Sequence, residues 1–131
     1  MIAAQGGDPA VCDDAGRLPR AREVWTVAAD SEGYVARMDT MRLGEASQRL
    51  GAGRARKEDA IDPAVGIVMA VELGDFVGQG DTLAYVHAND TAQAARAMES
   101  VRRAIALAPE QAPIPPLVYA AVRPEGVEGF T

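Results

Sequence analysis

The residues best placed to do chemistry stand together in Leu50–Gly66, the run LGAGRARKEDAIDPAVG, which is polar, charged and punctuated by glycine inside an otherwise apolar chain. Two chemistries suit its residue types. Gly51 and Gly53 could free backbone N–H groups to cradle an anion, with the fork of donors on Arg54 closing over it. Glu58, Asp59 and Asp62 beside Lys57 could act as paired carboxylates for proton transfer, or hold a hard cation. The spacing argues against both. A phosphate loop of the NTPase type ends in Gly-Lys-Ser/Thr, and a dinucleotide loop places three glycines between a strand and a helix. The carboxylates also lack the alternate-residue rhythm of a calcium loop. The plainer reading is a helix end capped by Gly51 and followed by a tight loop, its charges solvated or paired locally. Asp62-Pro63 would then fix a turn into the next strand.

The remaining candidates are isolated. His87 is the only histidine, with Asn89 and Asp90 close by in sequence and no activated serine or cysteine in view, so it reads as a half-buried side chain bonded to backbone rather than as a general base. Cys12 is the only cysteine, which excludes an internal disulfide or a cysteine metal cluster, and no basic neighbour would activate its thiol. Residues 71–86, VELGDFVGQGDTLAYV, are similar in rhythm to biotinyl and lipoyl carrier domains, because two glycine-bearing bends let short strands wrap into a flattened barrel. A carrier attaches its cofactor to a lysine at a hairpin tip. The only lysine here, Lys57, lies in the charged loop, so the likeness speaks for architecture and against a carried cofactor.

Composition bounds what these residues can belong to. A chain of 131 residues supports one compact core. With 48% apolar and 24% charged residues it is too apolar to remain disordered. A net charge of −6, with dispersed arginines, would repel a phosphate backbone and makes nucleic acid a poor partner. No apolar run approaches the roughly 20 residues that span a bilayer, and the start lacks a signal-peptide pattern, so a cytoplasmic setting is expected.

The elements that must position the candidates follow from turn chemistry. Met1–Gln5 reads as the last turn of a helix whose earlier turns are missing, stopped at Gly6-Gly7. Asp8–Arg22, with Pro9, Gly16 and Pro19, reads as an extended linker, which divides the chain into a tail and linker at 1–22 and a domain at 23–131. Glu23–Ala29 and Gly33–Met38 are predicted to form a hairpin about Asp30–Gly33. Asp39 or Thr40 should cap a short helix carrying Met41, Leu43, Ala46 and Leu50. Val65–Val71 reads as a buried strand turned at Gly74-Asp75, and Thr82–His87 as another strand. Asn89 or Asp90 should cap the longest helix, whose buried stripe is Ala94, Met98, Val101, Ile105 and Ala108. A final strand is predicted over Leu117–Val122. The class is α+β, with short curved strands, one short helix and one long amphipathic helix.

Across these elements the chain closely resembles the carboxy-terminal part of the pyrimidine-nucleoside phosphorylases, which include thymidine phosphorylase. The matching residues run in order: Gln5-Gly-Gly-Asp8, Leu18-Pro19, Gly33-Tyr-Val35, Leu50-Gly-Ala-Gly-Arg54, Lys57-Glu-Asp59, Ile61-Asp62, Val65-Gly66, Gly74-Asp75, Gly80-Asp81, Leu83-Ala84, His87-Ala-Asn89 and Leu117-Val-Tyr119. The resemblance implies an α/β-hammerhead with a barrel-sandwich hybrid core. It also implies a homodimeric pentosyltransferase that cleaves uridine, thymidine or deoxyuridine with inorganic phosphate, giving free base and pentose 1-phosphate. In that family the phosphate loop and the groups that hold the pyrimidine precede the region matched here. No catalytic, cofactor or metal residue is therefore carried onto this chain, phosphate and nucleoside are expected on upstream domains, and the isolated chain is expected to be inactive. A free-standing barrel-sandwich scaffold or binding module without catalysis is the alternative, with a carrier domain behind it.

Overall fold

Side chains that cap and turn the backbone set the boundaries of the elements. The computed structural model describes residues 1–54 and 56–129. Ala55 of the charged run, and Phe130 and Thr131 at the end of the expected domain, lie outside the described residues. Strand β1 spans Glu23–Ala28 and β2 Gly33–Met38, followed by helix α1 at Thr40–Ser47, which passes into one wide helical turn at Gln48–Ala52. Next come β3 (Gly66–Met69), β4 (Phe76–Val77), β5 (Thr82–Ala88), α2 (Thr91–Ala104) and β6 (Ile105–Ala108). The chain closes with β7 (Ala120–Arg123) and β8 (Gly126–Gly129). Both helices start where a carboxylate accepts an orphan backbone N–H, Asp39 from Arg42 and Asp90 from Gln93.

The strands form three small antiparallel sheets, ordered β1-β5-β3, β4-β2-β6 and β7-β8. The expected hairpin of β1 and β2 does not exist. Glu23 lies opposite Ala88 and Tyr34 opposite Ala108, so the two strands belong to different sheets. Period-two patterning with a glycine turn identifies two strands correctly, but it does not choose their partners. Gly33 is needed for a different reason than a hairpin turn: its φ is +153°, and a Cβ there would meet the carbonyl oxygen of Ala108 at 2.9 Å. The bare Cα lets β6 approach β2.

Two apolar clusters hold the sheets. In the first, α2 lays Ala94, Ala97 and Val101 across one face of β1-β5-β3, against Val27, Ala84, Val86 and Ala88, with Leu50 and Val65 sealing the end. The second joins Ala29, Val35, Val71, Val77 and Leu83, and Met69 and Ile105 pack against both. Each large apolar side chain buried this way contributes about 1.5–3 kcal/mol.

Three further expectations need correcting. β3 is an edge strand and not a buried one, since it pairs only with β5 and leaves Val68 52% exposed on the face away from α2. α2 ends at Ala104, before the predicted stripe does, and Ile105–Ala108 becomes β6. No glycine or proline stops it there. The backbone of β6 is instead taken up by pairing with β2, a tertiary choice that overrides helical period. Last, the final strand begins at Ala120, not Leu117, and it is the hairpin with β8 that stands apart from both clusters. The fold class is α+β, and no closed barrel is present among the described residues.

Candidate functional site

Buried side chains fix both ends of the glycine-rich loop. Leu50 and Val65 enter the first apolar cluster, which draws residues 51–64 into a closed excursion. Gly51 turns the chain with φ +109°, a conformation that a side-chain-bearing residue adopts only under strain. Its carbonyl accepts the backbone N–H of Asp62 at 2.9 Å, closing the loop on itself. Gly53 faces Gln48, where an added Cβ would stand 3.2 Å from the Gln48 Cγ, and Gln48 Nε2 donates to the carbonyl of Arg54. Gly51 thus serves the turn and Gly53 the close approach to Gln48. This is the expected helix-end arrangement.

Two of the loop's carboxylates, Asp59 and Asp62, are engaged with backbone, and the third, Glu58, is exposed. Asp59 Oδ2 accepts the Arg56 N–H at 2.7 Å, fixing a turn around Lys57, whose side chain is exposed. Asp62 Oδ1 accepts the N–H of Ala64 at 2.9 Å, the turn expected at Asp62-Pro63, and Asp62 Oδ2 accepts Nδ2 of Asn89 at 2.8 Å. Asn89 in turn accepts the N–H of Arg22 through Oδ1 at 2.8 Å. Sequence reasoning offered Asn89 as a neighbour of His87 and as a possible helix cap, a role Asp90 takes. Its link to Asp62 joins residues far apart in the chain and carries no local signal. Among the described residues, no three His, Cys, Asp or Glu side chains stand close enough together to hold a metal ion.

His87 does not join this group. It is half-buried in β5, flanked in register by Val24 on β1 and Gly66 on β3. It lines a shallow cleft of about 220 Å³ with Pro63, Ala64, Val65, Gly66, Ile67 and Val68. The anticipated hydrogen bond from its ring to backbone is not formed among the described residues. Cys12 is exposed in a short 3-10 turn. Near it, the N–H of Ala10 and the guanidinium of Arg17 hold the Asp8 carboxyl below its ordinary value of 3.8, the backbone bond being the larger cause. Asp8 is exposed, and its bond to Arg17 links the turn at Pro9–Cys12 to that at Ala15–Arg17.

The loop, β5 and the strands around them also decide what the chain is related to. Residues 34–108 match the family described as the pyrimidine nucleoside phosphorylase C-terminal domain. The chain belongs to that family. Over 124 residues it is 40% identical to the pyrimidine-nucleoside phosphorylase of Geobacillus stearothermophilus, and over 120 residues 42% identical to the thymidine phosphorylase of Burkholderia cenocepacia (strain HI2424). Each alignment covers 91% of this chain and 27% of the relative. A pyrimidine-nucleoside phosphorylase of Staphylococcus aureus (strain USA300) is 46% identical over 89 residues, covering 68% of this chain and 21% of that protein. The chain therefore spans about a quarter of the length of the curated relatives it matches. The matched span takes in β2 through β6, both helices and the whole charged loop. No helix among the described residues is long and apolar enough to cross a membrane.

Proposed function

We propose that this chain is the structural carboxy-terminal domain of a pyrimidine-nucleoside phosphorylase. The enzyme it serves cleaves the N-glycosidic bond of a pyrimidine nucleoside with inorganic phosphate, releasing the base and a pentose 1-phosphate. The observation that carries this reading is the pairing of coverage values: 91% of the chain is matched, by only 27% of each relative. The fate of the loop side chains supports it. Gly51 turns the loop, and the carboxylates of Asp59 and Asp62 accept backbone N–H groups, structural roles that fit a domain whose catalytic groups lie upstream.

On this reading residues 1–22 connect to a preceding catalytic part and residues 23–131 form the domain. Phosphate and nucleoside bind upstream, the full enzyme is a cytoplasmic homodimer, and the domain extends and steadies the larger α/β unit. The two three-stranded sheets correspond to the halves of a barrel-sandwich hybrid within an α/β-hammerhead. The register shifts at Val27/Ala28 and between Val35 and Arg37, which bend β1 and β2, support that assignment, as does the sharing of Met69 and Ile105 between the two clusters.

The purified chain, incubated with phosphate and with uridine, thymidine or deoxyuridine, is expected to release no base; release above a protein-free blank overturns the reading. An antibody against the chain should detect, in its source cell, a product several times heavier than 13.7 kDa. A band at 13.7 kDa would instead identify a free-standing module.

A further inference from the structure

Three hydrogen bonds in series cross the domain where the polypeptide enters β1. The N–H of Arg22 donates to Oδ1 of Asn89 at 2.8 Å, Nδ2 of Asn89 donates to Oδ2 of Asp62 at 2.8 Å, and Oδ1 of Asp62 accepts the N–H of Ala64 at 2.9 Å. The Asp62 N–H adds a fourth bond, to the carbonyl of Gly51. One asparagine, the residue before the α2 cap, thus touches both the incoming chain and the far end of the glycine-rich loop. Upstream the pattern changes abruptly. The hydrogen bonds made by residues 1–18 close within residues 1–18, through the turns capped by Asp8 and Asp14 and the ion pair of Asp8 with Arg17. Between these two bonded regions lie Pro19, Arg20, whose guanidinium lies beside Gly16, and Ala21, which packs against the core.

We propose that Arg22–Asn89–Asp62 is a latch that sets the direction in which the chain enters β1 and couples that direction to the far end of the glycine-rich loop, at Asp62 and Ala64. Asn89 is a positioning residue. An amide suits this place because its oxygen takes the Arg22 N–H while its nitrogen donates to a carboxylate, which neither aspartate nor a small apolar residue could do at once. The proposal concerns this chain itself and stands apart from the phosphorylase reading.

Amide hydrogen exchange followed by NMR on the complete chain tests it, with Tyr85 in the centre of β5 as the reference for global opening. Asn89→Ala should raise exchange at Arg22, Asp62 and Ala64 by about fivefold, the size of one lost hydrogen bond, with Tyr85 unchanged. The decisive variant is Asp62→Ala, which touches no atom of Arg22. If the latch is coupled, Arg22 must respond to it through Asn89, because coupling between two sites is reciprocal. The paired exchange Asp62→Asn with Asn89→Asp keeps every donor opposite an acceptor and should restore slow exchange at Arg22. It decides the matter even if a single variant does not fold. Unchanged exchange at Arg22 in Asp62→Ala overturns the latch. So does a uniform rise that includes Tyr85, or an exchanged pair that leaves Arg22 as fast as Asn89→Ala.

Discussion

Two irregular regions, the loop at 51–64 and the tail from Pro113 to Gly129, differ in what ties them down. The loop is the more polar and looks the less structured in sequence. Yet it is anchored by Leu50 and Val65 in the core and closed by bonds from Asp62, Asp59 and Gln48. The tail is rich in apolar and β-forming residues, and it stays outside. Just before it, Gln111 Nε2 donates to the carbonyl of Gly74 at 2.9 Å, and within it the Ile114 side chain lies over the bare Cα of the same glycine. Beyond that point Leu117 is 99% and Val122 81% exposed. The one ion pair of the β7-β8 ribbon among the described residues, Arg123 with Glu128 at 3.6 Å, is exposed and contributes about 0–1 kcal/mol. A hairpin with no third strand is marginal on its own. What separates the two regions is where their apolar residues end up: Leu50 and Val65 enter the core, while the large ones of the tail beyond Ile114 stay exposed.

That contrast can be broken from either side by urea unfolding. Leu50→Ala, which removes the anchor of the loop and leaves a void under α2, should cost about 2–4 kcal/mol. A loss below about 0.5 kcal/mol, the size of an ordinary surface change, would show the loop to be decoration. Gly51→Ala should cost about 1–3 kcal/mol, because a Cβ there has space beside Val65 but the backbone conformation does not suit it. Equal stability would mean the turn can relax. Replacing both Val122 and Val127 by serine should move stability by no more than about 0.5 kcal/mol. A larger loss would show that the tail is part of the folded unit.

Local signals were the legible ones. The caps at Asp39 and Asp90, the turns at Gly51, Asp62-Pro63 and Gly74, and the buried face of α2 up to Val101 all rest on interactions within a few residues, and sequence patterning reaches that far. The pairing of β1 with β5, the arrest of α2 at Ala104 and the reach of Asn89 to Asp62 depend on partners that arrive from elsewhere in the chain. The candidate site divides along the same line. The residue types in the charged run suggested chemistry and their spacing argued against it; in the structure Asp59 bonds the loop's own backbone, a local contact, while Asp62 also reaches Asn89 outside the loop.

The strand pairings also bear on how the domain is made. Among the described residues, none of the first six strands pairs with its immediate successor, whereas β7 and β8 do. β1 waits for β5, since Trp25 pairs with Val86, and β2 waits for β6, since Val35 pairs with Leu107. A topology dominated by such distant pairings places it among slow-folding domains, on the order of milliseconds to seconds. On the ribosome, β1 and β2 must remain unpaired with their partners until most of the chain has been synthesised. Their apolar faces are therefore exposed to other nascent chains for longer than any other part of the domain.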